Sequence, residues 1–451
     1  MPHRGNSAKA CALPPSSDVP SQRPSAPRIV IISASVGAGH DGAADELARR
    51  LQTDGFLVDR HDFLDLLPVR LGRLLSGGYH RLLTWAPTGY QRIYAATERT
   101  GRPGPLVRAL FRSAERRTLR TVTPDTRAVV STYPGAGQVL GAMRSRGRLG
   151  VPAITYLTDF SVHSLWVAPG IDVHLAVHAI PAGQAHAQGA AGVTVTGPVA
   201  AERFTPATVG ERRAARVRFA LPERSPLALL VAGSWGVGPV EQVAAEIQES
   251  GAAVPVVVCG RNQALAERLR KAGVEHVYGW VADMPALMSA ADVLVQNAGG
   301  LTSLEAFASG LPVASYRCIP GHGQTNAAAL QEAGLATWIQ QPASLKPVLD
   351  ELLHGSLGHQ QRARGLALFR PGNGPAQAVA AVARTVPHRD RAVSPGGRRP
   401  AIRRIRLGVP VATAAVAATV LLGVGAPIAE AYGDSPAHLG ALTRILDGHE
   451  R

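Results

Sequence analysis

At 451 residues, 46% of them hydrophobic, the chain is too long for one ordinary domain and can bury two sizeable cores. Its formal charge of +15, from 47 Lys and Arg against 32 Asp and Glu, favours polyanionic partners: nucleic acid, an anionic lipid surface or phosphorylated substrates. The excess is mostly Arg dispersed over helices and tails, not a basic stripe studded with aromatics, and this argues against nucleic acid. No pair among Cys11, Cys259 and Cys318 has metal or redox spacing, which argues against a disulfide framework and for a reducing compartment.

In chain order, residues 1–27 are rich in Pro and Ser and read as a disordered tail, not a secretory signal. Residues 28–34 (RIVIISA) are short, β-branched and continuously apolar, the pattern of a buried parallel strand. A Gly-containing turn and a helix from about Asp41 follow. Further strands are predicted at 56–60, 128–132, 151–157, 173–177 and 193–196. The apolar and basic segment 66–94, with Tyr79, Trp85, Pro87 and Tyr94, suits either contact with a membrane surface or helix packing. Gly197-Pro198 and the Arg-rich stretch after Phe204 mark a change, and a second strand series is predicted at 227–232, 254–259, 276–278, 292–295, 312–316 and 336–339. This alternation implies an α/β protein of two Rossmann-like halves, 28–205 and 206–385, each built on a doubly wound parallel sheet.

Residues 386–406 read as a basic linker rich in Pro, Gly and Arg. Residues 407–429 then run without a charge. A helix there would be roughly 34 Å long, enough to cross a bilayer. Arg398, Arg399, Arg403, Arg404 and Arg406 precede it, so the expectation is a transmembrane helix with the two large domains on the cytoplasmic face and the 430–451 tail outside. Cleavage near Ala429 and Ala431 is the alternative.

Chemistry is expected in the loops that end the strands, because ligands of open α/β sheets bind there. Residues 35–42 (SVGAGHDG) contain G-x-G-x-x-G, with Asp59 or Asp62 about 20 residues on, the fingerprint of a dinucleotide site. His40 within that turn is unusual for a cofactor clamp; it can accept a proton as a general base or simply space the turn. Asp159, ending another strand, can orient a base, serve as one, or cap a turn, with His163 and Trp166 shortly after. Residues 233–238 (GSWGVG) form a second strand, Gly-rich loop and helix junction able to seat a phosphate. Arg261 beside Asn262 suits phosphate or solvent, and Trp280 with Val281 suits a slot for a flat base or plain packing. Gly299 and Gly300 precede a helix, where bare backbone N–H groups can approach phosphate oxygens. Glu305, one turn past Thr302 on the same face, is placed to accept hydrogen bonds from ribose hydroxyls.

Taken together, the motifs at 33–40 (SASVGAGH), 158–172 (TDFSVHSLWVAPGID), 195–199 (VTGPV), 232–238 (AGSWGVG), 257–262 (VVCGRN) and 279–313 make the chain resemble the processive diacylglycerol glycosyltransferases and the monogalactosyldiacylglycerol synthases. These are related to the N-acetylglucosaminyl transferases acting on undecaprenyl-linked muramyl peptide. Order and spacing fit from about residue 28 to 340. The resemblance implies a GT-B fold and metal-independent, inverting transfer of a hexose from a UDP-sugar to a lipid acceptor, without a cofactor. By position, His40 would be the base, with Asp159 beside it. The donor would be held by Gly39, Ser234, Gly236, Asn262, Val281, Gly299, Gly300, Leu301, Thr302, Glu305, His322 and Asn326. The acceptor or membrane would meet Trp85, His163 and Trp166. Where the family carries Gln-Glu or Gln-Gln to grip the donor sugar, this chain has His322 and Gly323. The sugar is therefore open, and His322 is expected to take over one contact. A non-catalytic, membrane-tethered UDP-binding protein and an NAD-dependent oxidoreductase are the alternatives.

Overall fold

The structure, a computed structural model, describes residues 26–35, 38–68, 105–369 and 374–385. The first half runs β1 (Arg28–Ser33), α1 (Ala38–Thr53), β2 (Leu57–Asp62), α2 (Phe63–Leu66), α3 (Pro105–Thr121), β3 (Thr126–Ser131), α4 (Pro134–Ser145), β4 (Ala153–Leu157), β5 (Val173–Ala176), α5 (Ala179–Ala187) and β6 (Val193–Val195). Its six strands lie in the order β2-β1-β3-β4-β5-β6, every pair parallel. Because helices cover both faces, β1, β3 and β4 are buried along their length, which is why they read as continuous apolar runs.

The second half begins with α6 (Val209–Arg218), whose Thr208 and Glu211 form a capping box. It continues with β7 (Leu227–Val231), α7 (Val240–Ser250), β8 (Val254–Val258), α8 (Gln263–Lys271), β9 (His276–Tyr278), α9 (Met284–Ala290), β10 (Val293–Gln296), α10 (Leu301–Ala308), β11 (Val313–Tyr316), α11 (His322–Glu332) and β12 (Thr337–Ile339). Helices α12 (Leu345–His354), α13 (Ser356–Ala367) and α14 (Pro375–Thr385) follow. The second sheet has the order β12-β11-β10-β7-β8-β9, again all parallel. Cys259, at the end of β8, is fully buried, and burial pushes its thiol up to about 11, as expected of a small hydrophobe.

All twelve predicted strands are present. Two boundaries differ. The first helix begins at Ala38, so that His40 lies inside its first turn. The last described helix, assigned by the sequence to the second half, packs on the first: α14 contacts α1 and β3, and Arg384 stacks 5.2 Å from the Phe56 ring. Its apolar residues Ala376, Val379, Ala380 and Ala383 are buried in a core that also holds Ile29, Leu47 and Val130. The chain thus crosses back and ties the two halves together. The expected span at 407–429 and Trp85 lie outside the described residues; among the described residues no helix is long and apolar enough to cross a membrane.

Candidate active site

The first half of the site forms where strand order reverses. β1 lies between β2 and β3; the connection leaving β1 runs to β2 on one side and that leaving β3 runs to β4 on the other, which opens a crevice between their C-terminal ends. The turn into α1 is braced there: Ser33 Oγ donates to Asp41 at 2.6 Å, and the Ser35 N–H donates to Asp62 at 3.3 Å. His40 is thereby held against the loop after β4. Its Nδ1 lies 3.1 Å from Thr158 Oγ1, and its ring sits 5.4 Å from that of Tyr133 and 5.9 Å from that of Trp166. Thr132 Oγ1 donates to the His40 carbonyl at 3.3 Å.

Three expectations on this side are corrected. The residue bonded to His40 is Thr158, not the adjacent Asp159. Trp166 and His163 do not face a membrane: they are 2% and 9% exposed. Trp166 belongs to a small core with Leu157, Val162 and Ala185, and His163 Nδ1 accepts the Leu165 N–H at 3.2 Å to cap a short 3₁₀ turn. The dinucleotide fingerprint is also not built. Asp59 is engaged by Arg28 through two bonds of 2.8 Å, and Asp62 caps α2 by accepting from Leu64 N–H. Gly39 and Gly42 instead admit the opposite domain: a β-carbon on Gly39 would lie 3.7 Å from Leu301 Cβ, and one on Gly42 would overlap Leu301 Cδ2.

In the second sheet, order reverses between β7 and β10. The loops leaving these strands are the Gly-rich 233–238 segment and residues 297–300. Gly236 has φ +60°, and a β-carbon there would meet the Cys259 carbonyl and Asn262 Cβ at 2.9 Å. Asn262 braces this loop, its Nδ2 reaching the Trp235 and Gly236 carbonyls at 3.4 Å while its Oδ1 caps α8 at Leu265 N–H. The Ser234 carbonyl accepts from Arg261 N–H at 2.9 Å. Asn297, which the sequence reading passed over, holds the loop from the other side by donating to the Val237 carbonyl at 2.8 Å. Its only sequence signal was its place immediately after β10. Arg261 stacks 4.8 Å above the half-exposed Trp280 ring, and Val281 packs against the core beside it.

Gly299 (φ +78°) and Gly300 turn the chain into α10, leaving the backbone N–H groups of its first turn at the crevice. Thr302 and Glu305 lie on this helix, both half-buried. Burial pushes the Glu305 carboxyl up to about 8, against the opposing pull of Arg203.

Asn326 departs from its expected role. It is fully buried and spans the cleft: its Oδ1 accepts the Ser161 N–H at 2.8 Å, and its Nδ2 donates to the Ala298 carbonyl at 3.2 Å. Beside it Ser161 Oγ and Thr325 Oγ1 are 2.8 Å apart. His322 also comes to the cleft. Burial holds its imidazole below the ordinary value; the charge of Asp159 opposes this and that of His40 adds to it. The tertiary fold therefore brings His40, Asp159 and His322 into one electrostatic neighbourhood, although 282 residues separate the two histidines (322 − 40).

A cavity of about 750 Å³ lies within the second half, bordered by Gly236–Pro239, Arg317, Trp338 and Gln340. It shares Gly236 and Asn262 with the Gly-rich loop but does not include His40, Thr302 or Glu305. It is therefore distinct from the crevice between the halves. Among the described residues no group of three or more His, Cys, Asp or Glu is arranged to hold a metal ion.

Two all-parallel Rossmann-like sheets with their switch points facing each other define a GT-B glycosyltransferase fold. Solved structures agree: Acinetobacter baumannii MurG at TM-score 0.51 and 16% identity, covering 80% of this chain and all of that one, and TcCGT1 in complex with UDP at 0.53 and 15%, covering 80% and 99%. Residues 40–199 match the family model of monogalactosyldiacylglycerol (MGDG) synthase, and residues 237–353 match that of glycosyl transferases group 1. Processive diacylglycerol β-glucosyltransferases are similar along most of their length. The Bacillus mycoides protein is 23% identical over 76% of this chain and 90% of its own, and that of Bacillus cereus 23% over 72% and 86%. The chain thus has a GT-B fold and is similar to monogalactosyldiacylglycerol synthases over its first half and to processive diacylglycerol glucosyltransferases over most of their length.

Proposed function

We propose that this protein is an inverting glycosyltransferase that moves a hexose from a UDP-sugar to the hydroxyl of a diacylglycerol-like lipid. The observation that carries the reading is the pairing of two switch points across one cleft. His40 stands at the first, and the N-terminus of α10 at the second. The helices bearing them touch where Leu301 packs on Gly39 and Gly42.

The chemistry follows from that placement. In the tautomer with Nδ1–H donating to Thr158 Oγ1, His40 Nε2 carries the free lone pair. It takes the proton of the acceptor hydroxyl as that oxygen attacks the anomeric carbon of the sugar. The bond from this carbon to the phosphate oxygen breaks on the opposite face, and UDP leaves with the electron pair. Attack opposite to the leaving group inverts the anomeric centre. Backbone N–H groups around Gly299, Gly300 and Leu301, with the Thr302 hydroxyl, stabilise the charge that develops on the diphosphate. Glu305, one turn further on, receives the ribose, and the stacked Arg261–Trp280 platform beside Val281 lies where a base would rest.

The acceptor class rests on the relatives, whose names specify diacylglycerol. Attachment to an anionic membrane surface is supported by the charge of +15 and the uncharged run at 407–429, with the catalytic halves on the cytoplasmic side. The experiment that tests the function is titration of the full-length protein with UDP, then transfer from UDP-glucose and UDP-galactose to diacylglycerol in vesicles. Selective UDP binding with glycolipid formation supports the reading. UDP binding without transfer to any lipid alcohol points instead to a tethered binding protein.

A further inference from the structure

We propose that Asn326, with the Ser161–Thr325 hydroxyl pair, is a cross-cleft positioning device that sets the base in register with the leaving-group loop. The inference rests on the glycosyltransferase reading above but adds a role that the family resemblance does not assign to these residues.

The argument follows an unbroken chain of contacts. His40 Nδ1 is fixed by Thr158 Oγ1, the first residue of the loop after β4. Three residues on, the same loop donates its Ser161 N–H to Asn326 Oδ1 at 2.8 Å. The other end of that amide donates to the Ala298 carbonyl at 3.2 Å, and a β-carbon on Gly299 would meet Asn326 Cβ at 2.9 Å. One fully buried side chain thus grips the loop that orients the base and the loop that faces the diphosphate, using its acceptor on one domain and its donor on the other. A buried amide left with one end unmade is costly, so the arrangement favours a single relative placement of the two loops.

Ser161 Oγ and Thr325 Oγ1 form a hydrogen bond of 2.8 Å, and Thr325 Oγ1 also reaches the His322 carbonyl at 3.2 Å. Both contacts sit at the N-terminal end of α11, beside His322. Closing this clasp brings that helix end to the Thr158–Ser161 loop. Displacement of a base by about 1 Å is enough to slow transfer roughly 100-fold, so a clasp that fixes the spacing acts on turnover more than on binding.

Hydrogen exchange and kinetics on the full-length protein test this, with UDP as the bound probe. The Ser161 amide should be protected in wild type with UDP, and Asn326→Leu should remove that protection. In transfer from UDP-glucose to diacylglycerol, Asn326→Leu should lower kcat about 30-fold with KM for UDP-glucose within about twofold. Ser161→Ala and Thr325→Val should each lower kcat about threefold, with the double variant no slower than the worse single one, whereas Thr325→Ser should keep wild-type turnover. An unprotected Ser161 amide in wild type, or a raised KM with unchanged kcat in Asn326→Leu, overturns the proposal; the latter is what direct sugar contact predicts. Additive losses in the hydroxyl double variant overturn the pairing. The exchange measurement needs no turnover, so an inactive wild type would count against the functional reading alone and leave the clasp to be decided at Ser161.

Discussion

His40 Nδ1 lies 3.1 Å from Thr158 Oγ1, two side chains 118 residues apart that meet at the C-terminal ends of β1 and β4. This contact fixes which ring nitrogen faces the cleft. His40→Ala is expected to lower kcat by about 10³-fold while leaving UDP affinity within twofold. Thr158→Val, which removes the orienting oxygen and keeps the shape, should lower kcat about tenfold with KM unchanged. Steady-state transfer assays beside UDP calorimetry check both. Full activity in His40→Ala would rule out its role as base.

Glu305 supplies a pH-dependent test. An acid raised from 4.5 to about 8 binds its proton more tightly in the folded chain than in the unfolded one. Its favourable contribution is complete below about pH 4.5 and is lost progressively as pH rises to about 8. Glu305→Gln does not titrate, so its stability relative to wild type should increase between pH 5 and pH 8 by on the order of 3 kcal/mol. Denaturant melts of the ligand-free protein at those two values measure it. A constant difference would show that the carboxyl is not held neutral by burial.

The same residue should matter to the nucleotide. Glu305→Ala is expected to weaken UDP binding about tenfold or more, through loss of charge-assisted bonds to ribose hydroxyls. Isothermal titration at pH 8 is the measurement, and unchanged affinity removes Glu305 from the donor site.

Gly236 tests the phosphate loop through its backbone. At φ +60°, with the Cys259 carbonyl 2.9 Å from where a β-carbon would stand, Gly236→Ala combines left-handed strain with a clash against main chain that cannot rotate away. It should cost about 2 kcal/mol of stability and displace the 233–238 loop from Asn262. Thermal melts and UDP titration check the two parts; wild-type values in both would mean that the loop is not held as described.

The proposed membrane attachment can be tested apart from catalysis. Deleting residues 400–451 should release the protein from the membrane fraction while leaving UDP binding intact, because the described site lies wholly within residues 38–326. Retention of the truncated protein on vesicles would assign attachment to the first domain instead.

Much of this was legible in the chain itself. The central strands stand out because a parallel strand covered on both faces must be apolar along its length, whereas edge strands such as β2 (LVDRHD) and β6 are partly exposed and were legible from the alternation of elements. The Gly-rich loops, His40 and Glu305 were found for a related reason: a turn needing bare backbone, or a polar group next to a buried strand, leaves a local mark. Asn297 and Ser161 left no such mark. A single amide or hydroxyl in a loop looks the same whether it faces solvent or braces a neighbour far along the chain.

The sequence by itself determined the succession of strands along the chain and the likeness to lipid glycosyltransferases, since both are written in local periodicity and ordered motifs. Only the tertiary structure decided the partners. It placed Thr158, not Asp159, on His40, committed Asp59 to Arg28, turned Gly39 and Gly42 toward Leu301, and spent both ends of Asn326 on bridging the halves. Those outcomes depend on how two sheets face each other and on α14 crossing back to the first. Burial then converts such placements into chemistry, raising Glu305 and lowering His322 by removing water that no local stretch of sequence reveals.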